Sequence, residues 1–319
     1  MINNFFKVLR PGTNTTYQDE GRFGLQHFGL PPGGCMDQES FLIANVLVGN
    51  KKNSGVVEFA YQGPMLKLVK GKTKIVVTGN VHFKIINSNN DIIDGECHRS
   101  YNLKEGDILD ILATKSSVYG YLSIDGGFKI ESFFNSVSTL VKAKVGPNNG
   151  SKIKKDDNLI INEASKNINN YKATIFSGDV KEIRVLKGPQ YDYFSDESKK
   201  KFFSQEYKIT NLTDRMGMRL QGASLKNIIS TNIRSEGITK GAIQVPADGQ
   251  PIILLTDHPT VGGYPKIANI ISADYDLLVQ KLPGTNIIFK CIDLQEAEQL
   301  FISRNNKIAK VIKNIKEII

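Results

Sequence analysis

The sequence predicts a mainly β protein, β-rich α+β in class, with two domains, few helices and one long helix at the C-terminal end. Short β-branched runs bounded by Gly, Pro, Asn or Asp recur at Met65–Val69, Lys74–Thr78, His82–Ile86, Ile108–Leu112, Val118–Ile124, Glu182–Leu186, Ile252–Thr256 and Asn286–Lys290. They do not alternate with helical segments, as a parallel sheet requires, so they read as barrels or sandwiches. The length of 319 residues exceeds a single core of about 100 to 200 residues. An apolar content of 40% is enough to fill two cores.

The helices are read from their ends. Asp37 is a good N-cap for a helix over Gln38–Val48, and Gly49 is placed to close it in the left-handed conformation. A second, short helix is predicted from Asp196 to Phe203 behind Ser195. At the C-terminal end Asp293 and Glu296 form a capping box, and Leu294, Ala297 and Phe301 follow at helical spacing, which predicts a helix that frays toward Ile319. The stretch from Gly146 to Lys172 is the most polar of the chain. It sets the predicted boundary near residue 178, between domains 1–178 and 179–319.

Composition excludes several classes. The net charge of +9 is spread along the chain and is not interleaved with aromatics, which argues against nucleic acid as a partner. The longest apolar runs are strand-sized, so no membrane span is expected, and Lys307, Lys310, Lys313 and Lys316 read as a solvated face. Three widely spaced cysteines, Cys35, Cys97 and Cys291, point to a reducing compartment and frame no metal. With no apolar stretch of signal-peptide length after Met1, the expected location is the cytoplasm. Only eight of the 41 basic residues are arginine. Where lysine is the usual cation, a retained arginine suggests a need for its planar fork, and Arg215 and Arg219 stand close together.

Three polar blocks carry the candidate chemistry. Gln18, Asp19 and Arg22 lie in a glycine-dense segment that runs to Asp37, where the backbone can approach a ligand closely; the competing reading is a structural salt bridge in a tight turn. Asp214, Arg215 and Arg219 form the second block. On a strand the spacing of four puts both guanidiniums on one face, away from Asp214, suited to a carboxylate or phosphate or to cross-strand ion pairing. The third joins Gln244 to a buried strand that empties into Asp257, His258, Thr260, Gly262, Gly263, Tyr264 and Lys266. Such variety of function in one loop is where sites are built. Asp257 either orients His258 or acts as a general base, the Gly262 and Gly263 amides would cradle an oxyanion, and Lys266 would neutralise charge. The candidate catalytic residues are therefore Asp257, His258 and Asp19, and the others are candidate substrate or phosphate contacts. Gly71-Lys72-Thr73 imitates the end of a P-loop, but Leu66 stands where that loop needs glycine.

Taken together, the blocks resemble the 5-oxoprolinase C-subunit family, also called allophanate hydrolase subunit 2, of the biotin-dependent carboxyltransferases. The resemblance rests on Gln18-Asp19 with Gly21-Arg22, Gly33-Gly34 with Met36-Asp37, Ala44-Asn45, Leu47-Val48-Gly49-Asn50, Glu58, Gly63-Pro64, Gly126-Gly127, Gly188-Pro189-Gln190, Asp214-Arg215-Met216-Gly217, Gly241 to Pro246 and Gly262-Gly263-Tyr264-Pro265. It implies cyclophilin-like β-barrel architecture and a complex with the family's B subunit. That pair would phosphorylate 5-oxoproline, with ATP as co-substrate and Mg2+ carried on the nucleotide, so that the A subunit opens the ring to L-glutamate. The implied class is an ATP-hydrolysing hydrolase acting on a cyclic amide. No Met-Lys-Met of a biotin-carrying domain is present, so no biotin is expected on this chain. Relatives of the same fold imply two alternatives, the carboxyltransferase component of a urea-type carboxylase and a non-catalytic regulator that binds a kinase inhibitor. The chain departs from the pattern at Val137, within Ser136-Val137-Ser138-Thr139, at Asp156, at Met218 and at Val261.

Overall fold

The computed structural model describes residues 4–165, 167–175 and 181–318, and the predicted boundary near residue 178 lies outside them. Its described residues divide into two compact units, the first within Met1–Arg22, Gly33–Phe176 and Ile308–Ile319, the second within Phe23–Pro32 and Ser177–Lys307. The mainly β expectation is met. All eight predicted strand segments are strands, with ends displaced by no more than two residues.

The first unit holds two antiparallel sheets. One has six strands, in the order Asn158–Ile161, Asn4–Arg10, Met65–Lys70, Ile108–Thr114, Val81–Ile86, Ile92–Asp94; the other has five, Thr16–Gln18, Val56–Ala60, Tyr119–Ile124, Lys72–Thr78, Ser100–Lys104. Alternation along Lys72–Thr78 shows how the layers divide. Ile75 and Val77 enter the core with Phe6, Phe59, Leu66, Phe83 and Leu109. Val76, on the other face, packs against Ile43 and Leu47 of helix Gln38–Val48. With both faces covered, the strand has no polar alternation to read.

That helix begins and ends where its caps predict. Asp37 Oδ1 accepts from Ser40 N (3.0 Å), and Gly49 closes the last turn at φ 87. A buried polar network ties it to the sheet. Asn45 donates to Ser54 O (2.8 Å) and accepts from Ser123 Oγ (2.8 Å), while Asn50 donates to Ile124 O (2.7 Å) and accepts from Gly126 N (3.0 Å). Asn45, Asn50 and Gly126 of the family pattern are accounted for here as structure.

The second unit is a closed barrel of seven strands, ordered Glu182–Lys187, Lys266–Ile270, Ala242–Gln244, Ile252–Leu254, Gly217–Gln221, Tyr207–Thr213 and Asn286–Cys291. The last strand returns to the first as a parallel pair, Glu182 opposite Ile288. Closure leaves the barrel without a free edge. Helix Asp196–Ser204 starts, as expected, at Ser195, whose Oγ accepts from Ser198 N (3.2 Å).

One expectation is corrected, and two elements go beyond the sequence reading. The C-terminal helix runs over Leu294–Lys313 and ends in a tightened turn, with Asn314 N shared between the carbonyls of Lys310 and Val311 and Ile315 N donating to Ile312 O. Lys316–Ile318 is then a strand, paired with Asn170–Lys172. The polar stretch 146–172 is not featureless, since Leu159 and Ile161 are buried on a strand against Asn4–Arg10. A helix over Ser272–Val279 escaped prediction, having almost no amphipathic period because six of its eight residues are buried.

Two consequences are measurable. Asn45→Ala would leave Ser54 O and Ser123 Oγ without this buried partner, at a cost of about 2 to 3 kcal/mol in urea denaturation, the midpoint falling with no change of slope. Burial pushes the His98 imidazole from 6.5 down to about 4, with Asp37 and Glu96 offsetting only part of it. The unfolded chain then binds this proton more readily, so the contribution is whole above pH 6.5 and is lost as pH falls from there toward 4. Melting curves from pH 7 to 4 should fall less steeply for His98→Asn, which tolerates the positive φ of 61 at this position. Equal slopes would place the acid sensitivity elsewhere.

Candidate functional site

The three candidates of the N-terminal block, Gln18, Asp19 and Arg22, sit in the first unit, and their polar groups are turned inward. Asp19 Oδ1 accepts from Gly21 N (2.8 Å) and Ser136 Oγ (2.7 Å), and its Oδ2 accepts from Val137 N (2.8 Å). Gln18 Oε1 accepts from Ser138 Oγ (2.6 Å), and its Nε2 donates to Thr16 Oγ1 and Thr139 O. Arg22, buried, donates through Nη2 to Ser138 O. Three side chains therefore clasp the segment 136–139. Val137 is held by its backbone N–H, which any residue but proline supplies.

The second block is not arranged as its spacing predicts. Asp214 and Arg215 precede the strand Gly217–Gln221 and form a turn, in which Asp214 Oδ1 accepts from Met216 N (2.8 Å) and Gly217 N (3.2 Å). Arg215 and Arg219 thus share no strand face; Arg219 is exposed on the strand. The Arg215 fork instead meets Asp257, Nε to Oδ2 and Nη2 to Oδ1, both at 2.9 Å, and Asp257 N donates to Arg215 O (2.8 Å). This two-point pair, 13% exposed on each side chain, fixes the root of the loop that follows.

Asp257 is accordingly not the hydrogen-bond partner of His258. His258 is buried, and its Nδ1 lies 2.6 Å from the carbonyl of Pro259, which can only accept, so Nδ1 carries the proton. Burial pushes this imidazole below its usual range, the Pro259 carbonyl and Asp257 opposing the shift and Lys240 adding to it. Thr256 Oγ1 lies 3.0 Å from the Tyr275 hydroxyl, and Lys240 stands over the Tyr275 ring.

The far end of the loop builds a different cluster. Lys266 opens a barrel strand, is 4% exposed, and faces a cavity of about 310 Å³ lined by Pro189, Glu236, Ile238, Thr239 and Asn269 among others. Glu236 Oε1 approaches its Nζ to 2.5 Å. The contact is a close ion pair, and no other described group accepts from Nζ. Gln190 bridges the pair, donating from Nε2 to Glu236 Oε1 (2.8 Å) and accepting at Oε1 from Lys266 N (3.2 Å). Lysine and the Gln190 amide together hold the Glu236 carboxyl below its ordinary range.

Register brings in Gln244, which pairs across the barrel with Lys266 and so shares its face. Gln244 is 6% exposed, and its Nε2 has no hydrogen-bond partner among the described residues. Gly262 pairs with Glu236 on the rim, and a Cβ there would stand 2.6 Å from that Nε2. At Gly188 a Cβ would stand 2.3 Å from Lys266 O, so only glycine lets the loop bearing Gln190 cross the strand this closely. Of the other loop residues, Gly263 and Thr260 serve through their carbonyls, which accept from Ile233 N (2.8 Å) and Ile238 N (3.2 Å). Tyr264 is exposed.

The structure thus unites Gln244, Gly262 and Lys266, and separately Arg215 and Asp257. Sequence reasoning missed Glu236 and Gln190 as members of the cluster. Gln190 carried a signal, as the polar residue of Gly188-Pro189-Gln190 at a strand end; Glu236, an isolated acid in a polar run, carried none. Among the described residues no group of three or more His, Cys, Asp or Glu is placed to hold a metal ion, and no helix is long and apolar enough to cross a membrane.

Comparison with known proteins follows the same lines. The chain is 34% identical over 302 residues to the 5-oxoprolinase C subunit of Haemophilus influenzae, covering 94% of this chain and 95% of that one. It is 32% identical over 301 residues to the 5-oxoprolinase C subunit of Escherichia coli, covering 91% and 92%. The crystal structure of K. lactis urea amidolyase superposes with a TM-score of 0.86 at 29% identity over 98% of this chain, which spans only 20% of that one. The family model described as carboxyltransferase domain, subdomain A and B, matches residues 28–291, and the chain belongs to that family.

Proposed function

We propose that this chain is the C subunit of an ATP-dependent 5-oxoprolinase, and that the cavity at Lys266 receives 5-oxoproline. The observation that carries the reading is the pairing of a buried ammonium with a buried, unpartnered amide N–H on one barrel face, at Lys266 and Gln244. A lactam acid presents a carboxylate and a carbonyl oxygen, and these two donors suit them. The cavity, about 310 Å³, is of the size for a small ligand. The two bacterial relatives named as 5-oxoprolinase C subunits, aligned over more than nine-tenths of their length, support the same reading.

In this reading Lys266 neutralises the carboxylate, Gln244 donates to the lactam oxygen, and Gln190 fixes the strand geometry from which Lys266 projects. Glu236 and one lysine leave no net positive charge, so the cavity does not fit a triphosphate. ATP, with its Mg2+, is assigned to the companion B subunit, and ring opening to L-glutamate to the A subunit. The Arg215–Asp257 pair holds the loop root, and the neutral His258 leaves Nε2 as its basic nitrogen. Gln18, Asp19 and Arg22 support their own unit. The likeness to K. lactis urea amidolyase favours a second reading, transfer of a carboxyl group from a biotinylated carrier.

Assembled with its A and B subunits, the chain should release ADP and L-glutamate from 5-oxoproline; release of neither, with carboxyl transfer from carboxybiotin instead, would establish the second reading. Lys266→Met should lower turnover about 100-fold or more. Arg215→Ala and Asp257→Asn should each cost about 100-fold, and because the two act as one unit the double variant should lose no more than either. A multiplicative loss would give them separate roles.

A further inference from the structure

We propose that Glu236 is an internal stand-in for the carboxylate of the ligand, holding the Lys266 ammonium until that carboxylate replaces it. The inference deepens the function proposed above and rests on the cavity being the binding site.

The two partners of the ion pair differ in what they can do without each other. The Lys266 side chain is 5% exposed, so its charge has no water to turn to and needs an anion at all times. The Glu236 side chain is 44% exposed and stands on a two-residue strand, Glu236–Gly237, paired with Val261–Gly262. It can leave and be hydrated at little cost. Exchange of one carboxylate for another is therefore the way an anion can enter without stranding the cation.

The hydrogen-bonding inventory agrees. Lys266 Nζ, Gln244 Nε2 and Gln190 Nε2 are donors at this place, and Glu236 supplies the acceptor that the cluster offers them. It leaves Gln244 Nε2 unused. A free carboxylate has two oxygens and no tether, so it can meet the ammonium and take the Gln190 donor as well, leaving Gln244 Nε2 for the carbonyl oxygen of the lactam. A Cβ at position 262 would press on Gln244 Nε2, which is why glycine stands between the rim and this donor. The site is thus specific for a singly charged acid small enough for the cavity, and the Glu236 tether sets a threshold that weak anions do not pass.

The test is calorimetric titration of the purified full chain with acetate, 5-oxoproline and 2-pyrrolidinone, the lactam that lacks a carboxylate. Glu236→Gln removes the competing charge but can still accept from Gln190. It should bind acetate and 5-oxoproline roughly tenfold more tightly than the wild type, with 2-pyrrolidinone unchanged. Glu236→Asp, which withdraws the carboxylate by one methylene, should fall between, and it carries the test if the glutamine variant does not fold. Adding Gln244→Leu to either should leave the gain for acetate and weaken 5-oxoproline and 2-pyrrolidinone. Equal or weaker acetate binding by both Glu236 variants overturns the proposal, because Glu236 would then be a partner of the ligand rather than its competitor. Tighter acetate with no binding of 5-oxoproline would uphold the exchange and reject the 5-oxoprolinase reading, and no binding of either anion to any of the proteins would reject both.

Discussion

A lysine buried in a barrel wall imposes a condition on every segment near it. Its charge cannot be left unpaired without a penalty of several kcal/mol, so the surrounding chain has to bring acceptors to it. At Lys266 the acceptor is Glu236, and the segments that supply it and the two amides beside it lie far apart in sequence. A crossing possible only with glycine at 188 delivers Gln190, a two-residue rim strand delivers Glu236, and barrel register delivers Gln244. The backbone between Gln190 and Lys266 is tied in both directions, Gln190 N to Lys266 O and Lys266 N to Gln190 Oε1. The barrel thus acts as a frame that converts three weak local preferences into one polar cluster.

The first unit obeys the same rule, mostly with neutral groups. Asn45 and Asn50 sit where a helix meets a fully buried strand, and each satisfies backbone or hydroxyl groups that the layering has cut off from water. Asp19 and Gln18 do likewise for the segment 136–139. Residues that belong to a family pattern serve packing chemistry in these cases, so matching a pattern of many polar positions does not by itself locate the site.

What is legible in the sequence is local. The helix Gln38–Val48 announces both ends through Asp37 and Gly49, because capping is decided within four residues. Strands such as Val81–Ile86 announce themselves by β-branching between turn formers. A strand reading of Asp214-Arg215-Met216-Gly217 fails, although Asp two residues before a free backbone N–H is itself a turn signal, and that error separates Arg215 from its partner Asp257. The candidate site is half legible for the same reason. Gln244, Gly262 and Lys266 lie within one run of sequence, whereas Gln190 and Glu236 reach them only through pairings that no local window contains.

The parallel pair that closes the barrel bears on how the second unit is made. Glu182 on its first strand is bonded into register with Ile288 on its last, and the strand on its other side, Lys266–Ile270, is also late in the chain. As the chain leaves the ribosome, Glu182–Lys187 therefore stands with both edges open until nearly the whole unit has been synthesised. Such long-range pairing folds slowly and leaves an unpaired strand exposed to other chains in the interval. The alternating burial of that strand, with Ile183 and Val185 inward and Glu182, Arg184 and Lys187 between and beyond them, gives the waiting edge a charged face that discourages association before its proper partners arrive.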